Sequence, residues 1–229
     1  MERNNKLKVS IILNLIIFVS VVIGTVFTLF DVDLHGAGLL SSGFGYFKFF
    51  TVQSNVLMGI FAGVFLVYEF KFLNGRINKI PNVLYGLKLI FTVGVTLTFL
   101  TVVCYLGIII PTGFFSLFLN ANFFFHFLVP VLSIITFIFF ESRPDLKFSY
   151  TFIGLSHFLL YGVFYVTNVF THLDGGKVLP EYDFYNFVWG ENWSMLVTVS
   201  VMLIITYGIS FLLWFINRKT YRDKSKAED

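Results

Sequence analysis

Four hydrogen-bonding side chains stand at the start of a long apolar run: Thr51, Gln53, Ser54 and Asn55, followed by apolar residues as far as Tyr68. On a helix Thr51, Ser54 and Asn55 share one face, at offsets of three and four, whereas Gln53 points elsewhere. An unpaired hydroxyl or amide is costly in hydrocarbon. These groups therefore either join helices by hydrogen bonds or line a site.

A second polar line crosses a later apolar stretch and contains Asn122, His126, Pro130 and Ser133. Because Pro130 has no N–H, it leaves the carbonyl of His126 without its helical partner, and we expect a kink at the histidine. A rise of about 1.5 Å per residue puts Thr51 roughly 6 Å and His126 roughly 10 Å below the outer surface. The two side chains can share a proton if their helices are neighbours.

A hydroxyl beside an imidazole is the minimum arrangement for nucleophilic acyl transfer. The His126 imidazole would remove the proton of Thr51, the alkoxide would attack an ester carbonyl, and water would later release the acyl group. Gln53, Asn55 or Asn122 could donate to the oxyanion. The alternative stays open that these residues only pack helices together, since the same residue types commonly bridge membrane helices.

A third polar stripe falls within a sector of about 80° on a helix. It contains His157, Tyr161, Tyr165, Asn168 and His172, and a stripe of this kind on a membrane helix faces the bundle. His157 and Tyr161 are therefore candidates for binding a substrate. The loop from Leu173 to Trp193 mixes aromatic residues with carboxylates, which predicts a cap at the outer interface.

Composition indicates a protein of the lipid bilayer. The 229 residues are 57% hydrophobic, 20% aromatic and only 13% charged, with a mean hydropathy of +0.83. No stretch shows the alternation of a barrel strand, so the sequence predicts an all-α, polytopic membrane protein that forms a six-transmembrane-helix bundle. Residues 1–229 form a single integral membrane domain, and the predicted spans are 9–29, 47–68, 84–109, 119–140, 150–170 and 194–216.

The placement of charge predicts the orientation. The net charge is +3, and the cations cluster before the first span, around the second and fourth connections, and in a basic cytoplasmic tail at 217–229. Lys88 is assigned to the second connection in this scheme. By the positive-inside rule both termini are cytoplasmic, in the plasma membrane. The expected partners are membrane lipids, and no nucleic-acid binding is predicted, because cations next to a membrane helix anchor it against anionic lipid.

Several other classes are disfavoured. With Cys104 as the only cysteine and no His-x-x-x-His on a helix, we predict no metal site and no cofactor. The acidic residues of the spans stand only at their ends, including Glu69 and Glu141, which argues against a proton-coupled carrier. A carrier of a small neutral solute remains an alternative, as does a non-catalytic sensor or binding bundle.

Four short segments, in order along nearly the whole chain, resemble the bacterial six-span relatives of the androgen-induced membrane protein family. They are Phe-Phe-Thr-Val-Gln-Ser-Asn at 49–55, His126-Phe-Leu-Val-Pro130, Ser156-His157-Phe-Leu-Leu-Tyr161, and the Tyr-x-Phe of Tyr185 and Phe187. Animal members of that family are intramembrane threonine hydrolases that act on fatty acid esters of hydroxy fatty acids. The resemblance implies that Thr51 is the nucleophile, His126 the base, and a fatty acyl ester the substrate.

Overall fold

A computed structural model describes residues 2–33, 43–109, 113–143 and 145–228. These residues contain six long helices and one two-stranded hairpin. The helices are α1 (Glu2–Leu29), α2 (Phe50–Leu73), α3 (Asn82–Leu106), α4 (Phe123–Phe140), α5 (Tyr150–Thr171) and α6 (Ser194–Glu228). The strands β1 (Leu173–Asp174) and β2 (Lys177–Val178) pair antiparallel. Each helix is long and apolar enough to cross a membrane, so the all-α class is confirmed and the chain has the make-up of a multi-pass membrane protein.

The helix bounds differ from the predicted spans mainly at their ends. α2 continues past Glu69 and ends at Leu73. α4 begins only at Phe123, since a 3₁₀ turn at Phe114–Phe118 and a positive φ of 54° at Asn120 precede it. The predicted basic tail at 217–229 is helical as far as Glu228, and residue 229 lies outside the described part. The cytoplasmic location of the termini stays a prediction.

α3 lies at the centre of the bundle. It packs against α2, α4, α5 and α6, while α1 packs against α2 and α4. Leu89, Val93 and Leu97, spaced four apart on α3, are almost fully buried in the main apolar core. Large apolar side chains such as Ile60 and Leu160 point away from the bundle and are well exposed. An outward apolar surface of this kind is suited to contact with lipid.

Small residues set the close approach of α1 and α2, as the Gly59-x-x-x-Gly63 spacing predicts. A Cβ atom at Gly59 would lie 2.5 Å from Cγ1 of Val21, and one at Gly63 would lie 3.3 Å from the ring of Phe18. Val21 is buried at this contact. Glycine is therefore required at position 59 by space rather than by backbone conformation.

α4 departs from regular α-helix on both sides of Pro130. Residues Phe123–Leu128 and Thr136–Phe140 form π-helical turns, and Val129–Ile135 between them are α-helical, with Pro130 in the first turn. Proline is tolerated in a first helical turn because no N–H is needed there. The disturbance that Pro130 predicts near His126 is present, in the form of π-helical turns.

We predict that Gly59→Ala lowers the free energy of unfolding by about 1–3 kcal/mol, because the new methyl group forces α1 and α2 apart at Val21. Unfolding in mixed detergent micelles measures the change. Gly208→Ala is the matched control, since a Cβ at Gly208 meets nothing within 4 Å. Equal stability of the two variants would contradict the close contact.

Candidate functional site

Thr51 lies in the first turn of α2 and is half-buried. Its backbone carbonyl accepts hydrogen bonds from Ser54 Oγ at 3.1 Å and Asn55 Nδ2 at 2.8 Å, so the three residues share one face as predicted. Within the described residues the hydroxyl of Thr51 makes no hydrogen bond. The hydroxyl is therefore available to another group.

Asn55 joins α2 to α4. Its Nδ2 also donates to the carbonyl oxygen of Phe125 at 3.0 Å, and Asn55 is fully buried. In the π-helical turns a carbonyl pairs with the N–H five residues later, as Phe124 does with Val129. For Phe125 that position is Pro130, which has no N–H. The carbonyl that accepts a hydrogen bond from α2 is thus that of Phe125 and not that of His126.

The ring of His126 is buried and has a defined tautomer. Its Nδ1 lies 2.7 Å from the carbonyl oxygen of Leu117, in the 3₁₀ turn before α4. A carbonyl oxygen only accepts, so Nδ1 carries the hydrogen and Nε2 presents a lone pair. No other hydrogen bond of His126 exists among the described residues. His126 is therefore in the tautomer that leaves Nε2 able to accept a proton.

The three candidate oxyanion donors differ in how many of their side-chain N–H groups are not already used in hydrogen bonds. Both N–H bonds of the Asn55 amide are used, by Thr51 and Phe125. Gln53 uses one N–H on the carbonyl of Phe47, at 2.7 Å. Asn122 is exposed at the start of α4. Gln53 and Asn122 keep a donor for a ligand. Thr51 and His126 share no hydrogen bond in the described part of the chain, and their catalytic roles stay predictions.

His157 and Tyr161, in the polar stripe on α5, both pack against the ring of Phe50 at the start of α2. The ring of His157 stacks on Phe50 with centroids 4.8 Å apart, and both of its nitrogens lack a hydrogen-bond partner among the described residues. Tyr161 donates to the carbonyl of Lys48 at 2.7 Å. Tyr165 is also buried, whereas His172 is exposed. The stripe therefore faces the bundle for most of its length.

The loop before α6 covers this end of the bundle. The hydroxyl of Tyr185 accepts a hydrogen bond from the N–H of Phe50 at 2.8 Å, which satisfies a free donor at the start of α2. Burial raises the pKa of the Tyr185 hydroxyl. Asp183 accepts from Tyr165 and from the N–H groups of Phe187 and Val188, each 2.9 Å away. The predicted cap is thus held to α2 by a part-buried hydrogen bond and to α5 by a buried one.

Sequence reasoning missed a second polar cluster, among α1, α2, α3 and α4. Lys88 lies inside α3 rather than in the second connection, and it is fully buried. Glu69 and Glu141 stand near helix ends, as expected, but are only 1% and 4% exposed. Both carboxyls therefore lie where the sequence predicts, but they are shielded from water inside the bundle. The sequence does contain a signal for this cluster. Acidic and basic residues stand near the ends of successive apolar stretches, and the polar Asn14 interrupts the first stretch.

Among the residues that the structure describes, no group of three or more His, Cys, Asp or Glu side chains could hold a metal ion. Comparison of the chain with family models, with curated proteins and with solved structures finds no match. The two polar regions are therefore the features of the chain that bear on its function.

We predict that Asn55→Leu destabilises the protein by about 1–2 kcal/mol, because the carbonyl of Phe125 loses its hydrogen-bond donor in a buried position. Asn168→Leu is the matched control, since Asn168 is half-buried on α5 and its side chain makes no hydrogen bond within the described residues. Detergent unfolding of both variants tests the prediction. A loss of the same size at both positions would contradict the bridge.

Proposed function

We propose that the protein is an intramembrane hydrolase of lipid or fatty acyl esters, with Thr51 as nucleophile and His126 as general base. The observation that carries this proposal is the hydrogen bonding of Asn55. Its side-chain nitrogen lies 2.8 Å from the carbonyl oxygen of Thr51 and 3.0 Å from that of Phe125, the residue before His126. The amide group of Asn55 thereby connects the backbone of the proposed nucleophile to the residue that precedes the proposed base.

The tautomer of His126 supports the same roles. With Nδ1–H donated to Leu117, the lone pair of Nε2 can accept the proton of the Thr51 hydroxyl. The alkoxide attacks the ester carbonyl, and the imidazolium then returns its proton to the leaving alcohol. A water molecule, deprotonated by His126, attacks the acyl-threonine, and the imidazolium returns that proton to the departing Thr51 oxygen as the fatty acid is released. Gln53 and Asn122 are the proposed oxyanion donors.

An apolar cavity between α1 and α2, open towards the outside of the bundle, suits an acyl chain. It has a volume of about 220 Å³ and reaches from Val56 to Ile60 on α2. Val56 follows Thr51 by little more than one helical turn. The cavity is lined by Phe18, Val21, Val22, Thr25, Val26, Val56, Gly59 and Ile60. A fatty acyl group in this cavity would bring its ester carbonyl towards the start of α2.

The ordered resemblance to the bacterial relatives of the androgen-induced membrane protein family supports the same two residues and the same class of substrate. In the orientation that the positive-inside rule predicts, Thr51 and His126 lie in the outer half of the plasma membrane. The ester would then enter from the outer leaflet, beneath the cap that contains Tyr185.

The direct test is labelling of membranes with a fluorophosphonate probe, together with hydrolysis of acyl esters in proteoliposomes. We expect the wild type to be labelled and Thr51→Ala not to be labelled. His126→Ala should lose about 10²–10⁴-fold in rate, the usual contribution of general base catalysis. The matched controls are Thr101→Ala, a half-buried threonine of α3, and His172→Ala, an exposed histidine. Both should keep wild-type labelling.

Two results would contradict the proposal. Labelling that persists in Thr51→Ala would exclude this residue as the nucleophile. A wild type that is neither labelled nor active on esters of any chain length would exclude the hydrolase and favour a non-catalytic bundle or a carrier. Solute flux into proteoliposomes distinguishes between those two.

A further inference from the structure

A cluster of five polar side chains joins α1, α2, α3 and the end of α4 far from Thr51. Lys88 Nζ lies 3.0 Å from Glu141 Oε1 and contacts Asn14 Oδ1. Asn14 Nδ2 donates to Glu69 Oε2 at 3.1 Å and to Glu141 Oε1 at 2.9 Å, and Ser10 lies against the same groups. Glu69 follows Thr51 by 18 residues on α2, roughly 27 Å along the helix, so the two sites are separate.

The cluster is shielded from water and contains unequal numbers of acidic and basic side chains. Asn14 and Lys88 are fully inaccessible, and Ser10, Glu69 and Glu141 are at most 4% exposed. One lysine faces two glutamates, so the three ionised side chains would carry a net charge of −1. An uncompensated charge in a medium of low dielectric constant is strongly unfavourable. The three side chains by themselves therefore lack one positive charge, and the nearby cation Arg143 lies on the neutral ring and hydroxyl of Tyr85 rather than on either carboxyl.

The hydrogen bonds leave one acceptor without a donor. Glu141 Oε2 is buried and has no hydrogen-bond partner among the described residues, although Oε1 of the same carboxyl receives Lys88 and Asn14. The donors of Lys88 are directed at Glu141, at Asn14 and at the ring of Phe65, 5.0 Å away. The described side chains of the cluster thus provide no donor to that oxygen.

Other titratable groups near the cluster already have partners. Tyr85 of α3 packs on Phe65, and its hydroxyl accepts a hydrogen bond from Arg143 at 2.7 Å. Arg143 also lies over the ring of Tyr85, 4.3 Å from its centroid. Lys6 lies one helical turn before Ser10 on α1 and has interactions of its own. From α6, the neutral Asn217 donates to the backbone carbonyl of Glu141.

We propose that Glu69 and Glu141 together bind one exchangeable proton, so that the cluster is a proton-binding site that holds four helices together. Lys88 keeps its charge in the ion pair with Glu141, and the proton cancels the remaining negative charge. Loss of the proton leaves a buried carboxylate without compensation and loosens the contacts among α1, α2, α3 and α4. The site is independent of the ester chemistry at Thr51.

A proton fits this site better than a metal cation. The ammonium group of Lys88 already occupies the position between Glu141 and Asn14 where a cation would collect oxygen ligands. A sodium or calcium ion placed there would also face the positive charge of Lys88. A proton needs only one carboxyl oxygen.

The first test uses the wild type, purified in detergent micelles. When unfolding releases a proton that only the folded state holds at neutral pH, the folding equilibrium constant falls about tenfold per unit rise in pH. The sign follows because the folded state binds more protons than the unfolded one. Calorimetric unfolding in two buffers of different ionisation enthalpy should count one released proton, and infrared spectra of the folded protein should show one protonated carboxyl band.

Three variants locate the proton. Glu69→Gln imitates a protonated carboxyl, so it should fold, release no proton and lose the tenfold dependence on pH. Lys88→Met leaves two carboxyls without a cation and should release two protons instead of one. Glu181→Gln is the matched control, because Glu181 is exposed in the loop before α6. This control should behave like the wild type.

The wild-type measurement alone can overturn the proposal. If folded and unfolded states bind equal numbers of protons near neutral pH, and the carboxyl band is absent, the site does not hold a proton. Stability that depends on sodium concentration at fixed pH, without proton release, would assign the missing charge to a sodium ion instead. Equal pH dependence in Glu69→Gln and Glu181→Gln would likewise exclude Glu69 from the site.

Discussion

Hydrocarbon offers no hydrogen-bond partner, and this constraint explains most of the polar contacts inside the bundle. The threonines of α3 satisfy it locally: Thr92 and Thr96 donate to carbonyls four residues earlier on their own helix, at 2.7 and 2.6 Å. Asn55 satisfies it between helices, through the carbonyl that Pro130 leaves unpaired. Lys88 satisfies it with an ion pair. Buried polar side chains of this bundle therefore find partners in three ways: on their own helix, on a neighbouring helix, or in an ion pair.

Much of the fold could be predicted from the sequence because its causes are local. The length of an apolar run and the absence of alternation are sufficient for six helices, and a glycine spacing of four is sufficient for the contact between Gly59 and Val21. The inward face of α5 follows from helical periodicity, since His157 and Tyr165 fall on one side. The exact helix ends did not follow, because short 3₁₀ turns and loop contacts determine them.

The candidate site was predictable only in part, because it depends on which helices are neighbours. Polar residues and Pro130 indicated that α2 and α4 carry unusual groups, and Asn55 does connect the two helices. The sequence could not show that the available carbonyl belongs to Phe125, since that follows from the π-helical register. It also could not show the burial of Glu69 and Lys88. A charged residue near a helix end is equally compatible with water and with the bundle interior until the neighbouring helices are known.

The two polar regions differ in a way that matches different tasks. Around Thr51 and His126 the side chains are neutral, and a hydroxyl and an imidazole nitrogen have no partner among the described residues, which is what the proposed binding of a neutral ester requires. Around Lys88 nearly every donor is used and the charges do not balance. A site for an uncharged ester needs free donors and acceptors, whereas a site for a proton needs excess negative charge. Asn55 and Glu69 lie on the same helix, so the packing of α2 against its neighbours involves both regions.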